Sequence, residues 1–207
     1  VASNIVNAAI IICFLTHEKG IFRLKLKKLS VSKPELRKIL QIGVPAGIQG
    51  MVFSISNVFV LATINSFGSA AVAGSSAALN YEYYCYFVVS AFAQAAVAFI
   101  SQNYGAGKIE RCKNIFRQSM LLGLLGCAFL NLLIVWQKEF FIGFFTSEPD
   151  IVRYAAIRME YVLLFQFMAS SYEISGAALR GLGYSMTPTV LTIFGTCLLR
   201  LVWIFVV

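Results

Sequence analysis

Histidine is nearly missing from this chain: His17 is the only one among 207 residues, and aspartate and glutamate together number nine. A lone His without a Cys, a second His or a carboxylate at ligand spacing makes a poor metal site, so His17 reads as an interfacial residue. Cysteine occurs as Cys13, Cys85, Cys112, Cys127 and Cys197 but never as a CxxC pair, which suggests neither a disulfide framework nor a zinc site. HExxH, paired histidines and GxSxG are all lacking, which argues against an intramembrane enzyme. Gly107-Lys108 imitates a phosphate loop, yet Gln102 stands where its first glycine belongs and Ile109 where Ser or Thr belongs. No catalytic set, cofactor or metal is therefore expected. The short alternating segments of a membrane β-barrel are lacking too.

What is present is long apolar sequence. Hydrophobic residues make up 59% and charged residues 13%, with a mean hydropathy of +0.78, which excludes an ordinary soluble domain. The expected fold class is all-α, a polytopic transmembrane helix bundle. Its centre is the stretch from Ala70 to Gly107, uncharged between Tyr83 and Ile100, which alone approaches the roughly 20 apolar residues a spanning helix needs. Residues 1–16 read as the end of a transmembrane helix, 17–34 as a basic cytoplasmic loop, and 35–207 as a five-helix bundle. Its spans are expected at about 36–65, 70–104, 112–136, 151–179 and 184–207, the last interrupted and with Pro188 near its start. Val1 is not a Met, no basic segment precedes the first apolar run, and both ends fall inside apolar runs. The chain is thus expected to be a piece of a longer protein.

The net charge of +8 is explained by sidedness, not by nucleic acid. Eight basic residues, Lys19 to Lys38, fall in the first loop. Lys108, Arg111, Lys113 and Arg117 follow the turn at Asn103–Gly107, and Arg180 precedes another turn. Lys138, Arg153 and Arg158 are assigned to the opposite side. The excess places the first group in the cytoplasm, against anionic lipid. Ser32-Lys33-Pro34-Glu35 and Thr146-Ser147-Glu148-Pro149-Asp150 are helix starts. Beyond the first, Gly43, Pro45, Gly47 and Gly50 allow close packing or a bend, and Gln49, Ser56 and Thr63 form a stripe that faces protein or water.

Ionisable groups inside spans are functional candidates by default. Glu82 lies about 33 Å from the Tyr104 end at ~1.5 Å rise per residue. It is the first candidate for ion coupling or substrate contact, with a structural ion pair to Arg200, at similar depth, as the alternative. Glu173, seven residues before Arg180, either shares that role or meets the glycine-rich turn. Asn80, Tyr81, Tyr84 and Tyr86 surround Glu82 and either line a path for a flat organic cation or form an aromatic belt. Gln49, Asn57, Gln94 and Gln166 are lining candidates or helix-to-helix amide links.

Gly176-Ala177-Ala178-Leu179-Arg180-Gly181-Leu182-Gly183, followed by Pro188 and Arg200-Leu201-Val202-Trp203, resembles a signature of the multidrug and toxic compound extrusion (MATE) family. Ile42-Gly43-Val44-Pro45, Ala77-Ala78-Leu79-Asn80, Gln102–Gly107 and Phe145-Thr146-Ser147 resemble family segments in order and spacing, over nearly the whole chain. The resemblance implies two six-helix lobes that rock to alternate access, in a multi-pass protein of the plasma membrane, the inner membrane of a bacterium. It implies Na+ or H+ as coupling ion and organic, cationic or drug-like cargo. This chain resembles the end of the sixth helix and helices seven to eleven, so most of the first lobe is expected elsewhere. The sequence departs where the sodium-coupled branch has a Glu and an Asp, at Phe53 and Ala169. A lipid-linked oligosaccharide flippase of related architecture is the alternative function.

Overall fold

The computed structural model describes residues 2–20, 23–25 and 30–206, apart from the side chain of Phe205. Lys27 and Lys28 of the expected basic loop lie outside the described residues, as do Val1 and Val207. The α-helices among the described residues are α1 (Ala2–His17), α2 (Lys33–Asn65), α3 (Ser69–Gly105), α4 (Ile109–Trp136), α5 (Lys138–Gly143), α6 (Pro149–Gly181), α7 (Met186–Thr192) and α8 (Leu199–Val206). A π-helical segment, Ile193–Leu198, joins the last two. Five helical stretches are long and apolar enough to cross a membrane: α2, α3, α4, α6 and the composite Met186–Ile204. The fold is an all-α membrane helix bundle.

Two units are described separately. Residues 1–40 hold α1, which buries none of its described side chains, the loop after it, and the first turns of α2, where Lys38 pairs with Glu35 at 3.4 Å. Residues 41–207 hold everything else.

The core of the second unit lies among α3, α4 and α6, and the sequence explains why they meet. On α3 the buried residues Ala71, Gly74, Ala78, Tyr81, Cys85, Val89, Ala93, Ala96 and Ile100 recur every three or four positions and are mostly small. A helix with one small-residue stripe lets its neighbours' backbones come close. A Cβ built on Gly74 would stand 2.7 Å from the Ile151 carbonyl oxygen and 2.9 Å from the Ala155 nitrogen. One on Gly181 would stand 3.1 Å from the Val97 oxygen. These two approaches, one near each end, show that α3 and α6 run in the same direction. The α4 helix returns between them, with Gly123 against Phe92 and Ile174.

Turns are set by glycines in the left-handed region. Gly107 (φ +71°) ends α3, donating to the Tyr104 carbonyl at 2.9 Å while Lys108 donates to that of Asn103 at 2.9 Å. Gly183 (φ +93°) does the same after α6. The stretch expected as a loop from Lys138 to Asp150 contains α5, whose Ile142 is fully buried and whose Phe141 carbonyl accepts the Tyr81 hydroxyl at 2.7 Å. Of the two roles expected of Gly43, Gly47 and Gly50, close packing or a bend, close packing is not seen among the described residues: none lies within 4 Å of a Cβ built there.

Candidate functional site

Glu82 and Arg158 stand at the same depth, each 23 residues before the glycine that ends its helix, Gly105 and Gly181. Because α3 and α6 are parallel, equal spacing makes them neighbours. Arg158 Nε donates to Glu82 Oε1 at 2.6 Å and Nη2 to Oε2 at 3.1 Å, a two-pronged fork, with the side chains 20% and 13% exposed. Gln166, two turns further along α6, donates Nε2 to the Glu82 backbone carbonyl at 2.9 Å, while its Oε1 is buried without a partner. Two residues past Arg158 on α6, Glu160 pairs with Lys138 of α5.

This arrangement corrects the structural alternative for Glu82: its partner is Arg158, not Arg200. Arg158, counted from the sequence among the outer-side charges in the first turns of this span, is spent on Glu82. Sequence spacing gave the depth of Arg200, but depth alone says nothing of azimuth, and Arg200 projects elsewhere. The equal offsets from Gly105 and Gly181 were the signal that could have found Arg158.

A second carboxylate lies deeper. Glu173 accepts a single bond from Arg180 Nη2 at 3.2 Å, with side chains 18% and 21% exposed. Arg200 Nη1 donates to Asn57 Oδ1 at 2.7 Å, and its guanidinium lies 5.9 Å from the centre of the Phe53 ring. Gln49 Oε1 accepts from the Thr189 hydroxyl at 3.4 Å.

The remaining candidates separate by environment. Tyr81 is buried, its ring 5.3 Å from that of Phe141 and 5.7 Å from that of Phe145, so it packs α5 onto α3. Tyr84 and Tyr86 are exposed. Asn80 is exposed and donates to the Ser76 carbonyl of its own helix at 2.9 Å; Gln94 is exposed. Missed by sequence reasoning is Asn131 of α4, 2% exposed, which donates Nδ2 to Cys127 Sγ at 3.5 Å and leaves Oδ1 unpaired. Among the described residues no three His, Cys, Asp or Glu side chains gather as a metal-binding group.

An ion pair between two spanning helices, a bundle core of small residues and a glycine-ended Arg180 turn call for comparison with known transporters. The MatE family model matches residues 45–206, from Pro45 through the composite last helix, and so covers the Glu82–Arg158 and Glu173–Arg180 pairs. The chain belongs to the MatE family. This is a family of membrane transporters, not of enzymes. The probable multidrug resistance protein NorM of Thermotoga maritima is 25% identical over 201 residues, covering 97% of this chain and 43% of that protein. The probable multidrug resistance protein YoeA of Bacillus subtilis is 27% identical over 168 residues, 80% of this chain and 36% of that protein. The NorM of Pasteurella multocida is 24% identical over 205 residues, 95% and 43%. The chain thus spans about two fifths of the length of the curated MatE relatives it matches.

Proposed function

We propose that the full protein is a plasma-membrane antiporter, in a bacterial inner membrane, that exports organic compounds by alternating access against an inward flow of Na+ or H+. This chain supplies the end of helix six and helices seven to eleven, with the basic loop and the Gly105 and Gly181 turns on the cytoplasmic side.

The observation that carries the reading is the fork between Glu82 and Arg158. A charged pair inside a span is costly to hold, and such pairs mark ion pathways far more often than they add stability. An internal cation on a carboxylate also provides a switch. In one state Arg158 neutralises Glu82; in the other the coupling cation, as cargo, takes its place and Arg158 is released. The helix packing that suits one partner differs from that which suits the other, so cation exchange biases the bundle between two shapes. Glu173, held by one contact from Arg180, follows the same logic with a weaker internal competitor. Equal binding in both states would shift nothing, so the coupling rests on Arg158 being available in only one.

The test is dye export from vesicles holding the full-length protein, under separate Na+ and H+ gradients. Glu82→Gln is expected to abolish gradient-driven export. Export at the unmodified rate in that variant removes Glu82 from the mechanism.

A further inference from the structure

The α4 helix has two unlike faces. One carries Gly123, Cys127 and Asn131, buried in the core with α3 and α6. The other carries Leu125, Phe129, Leu132 and Trp136, between 55% and 81% exposed. Helix-to-helix contacts in a membrane favour small residues, and paths for ions or polar cargo need polar ones. An unbroken row of bulky apolar side chains is what a spanning helix turns to lipid.

The row does not stop where α4 stops. Gln137 separates α4 from α5, yet the helical ladder is carried across it: its N–H donates to the Leu133 carbonyl at 3.2 Å, and its own carbonyl accepts from Phe141 at 3.1 Å. One and two turns past Trp136 come Phe140 and Phe144, 62% and 70% exposed, their rings edge to face with centres 5.0 Å apart. The other side of α5 is fixed to protein. Ile142 is fully buried, the Phe141 carbonyl accepts the Tyr81 hydroxyl at 2.7 Å, and Lys138 pairs with Glu160. Those ties to α3 and α6 leave Phe140 and Phe144 facing outward.

Length sets the depth. The uncharged stretch Gln118 to Gln137, between Arg117 and Lys138, is about 30 Å long at ~1.5 Å per residue, which equals the hydrocarbon thickness of a bilayer. Trp136 therefore stands where hydrocarbon gives way to headgroups, the level that Trp favours. Phe140 and Phe144 follow at that boundary, with Lys138 and Glu139 beside them. Charged residues along one edge and paired aromatic rings on the lipid side are the make-up of an interfacial segment.

We propose that α5 is a lipid-binding foot. It lies in the boundary layer of the bilayer, at the end of the bundle away from the Gly105 and Gly181 turns, with Phe140 and Phe144 set among the glycerol groups and the upper acyl chains. The occupant of this face is lipid because the face continues the lipid side of α4. Through Tyr81 and Glu160 the foot is joined to α3 and α6, so it fixes the depth of those helices and of the Glu82–Arg158 fork between them. The proposal needs only the membrane bundle and is independent of what is transported.

Spin labelling tests it on the full-length protein in phospholipid vesicles, with its other exposed cysteines, Cys13 among them, replaced by Ser. Labels are attached in turn to Phe140→Cys, Phe144→Cys and Glu139→Cys. Collisions with oxygen, which concentrates in the bilayer, are compared with collisions with a water-soluble nickel chelate. The labels at positions 140 and 144 are expected to favour oxygen several-fold and to report a depth of about 5–10 Å into the boundary layer. The label at position 139, roughly 100° round the helix at ~3.6 residues per turn, is expected to favour the chelate. Each phenylalanine variant gives a reading by itself, so one that fails to fold leaves the other. A preference for the chelate at positions 140 and 144 puts α5 in water and overturns the proposal. Shielding from both reagents puts protein there, the rest of the transporter or a second copy, and overturns it as well.

Discussion

At the scale of single residues, the account turns on which charges are compensated. Removing one partner of a buried ion pair leaves the other stranded, at a cost of about 3–5 kcal/mol, whereas removing both costs much less. Arg158→Gln and Glu82→Gln are therefore each expected to lower the thermal stability of the purified protein more than the double variant does, by a margin of about 2 kcal/mol or more. Additive losses in that cycle would mean the fork carries no coupling. Glu82 and Glu173 were legible in the sequence because an acid within an apolar run stands out. Their partners were not, because helical rise fixes depth but leaves open which way a side chain faces. Tyr81 shows the same limit: sequence grouped it with Tyr84 and Tyr86, and packing separates it, its hydroxyl tied to the Phe141 carbonyl.

At the scale of elements, the long helices follow from apolar length and from glycine-marked turns, and that much was written plainly in the sequence. What was not legible is local. The α5 helix has only six residues, too short for a periodic signal, and its reason for folding is tertiary: Ile142 and the Phe141 carbonyl find partners on neighbouring helices. Pro188 sits in the first turn of α7, where a missing N–H costs nothing, so the departure from α geometry falls later, at Ile193–Leu198. Close helix approach gives a sharper forecast. At Gly74 an added methyl meets fixed backbone of α6, while at Gly123 it meets the tip of Ile174, which can rotate away. Gly74→Ala should destabilise the protein by about 1–3 kcal/mol. Gly123→Ala should cost less, since better helix propensity returns up to ~1 kcal/mol. Melting temperatures of the two variants decide it, and a larger loss at Gly123 would mean that Ile174 has no room to move.

For the whole molecule, composition and hydropathy led to the membrane bundle, and a chain of weak segments in the right order led to the family. The departures at Phe53 and Ala169 gain meaning from the fold. Phe53 lies beside Arg200, and the acidic residue of this stretch of α6 is Glu173, paired with Arg180, four residues past Ala169. The central claim is that an external cation and Arg158 compete for Glu82. It is tested most directly by equilibrium binding of radioactive sodium to the purified full-length protein, or by proton uptake in a weakly buffered solution if protons drive the cycle. Arg158→Gln, which removes the internal competitor, is predicted to raise affinity for the coupling cation by on the order of tenfold, and Glu82→Gln to abolish the exchange at this site. Unchanged or weaker cation binding in Arg158→Gln would contradict the account.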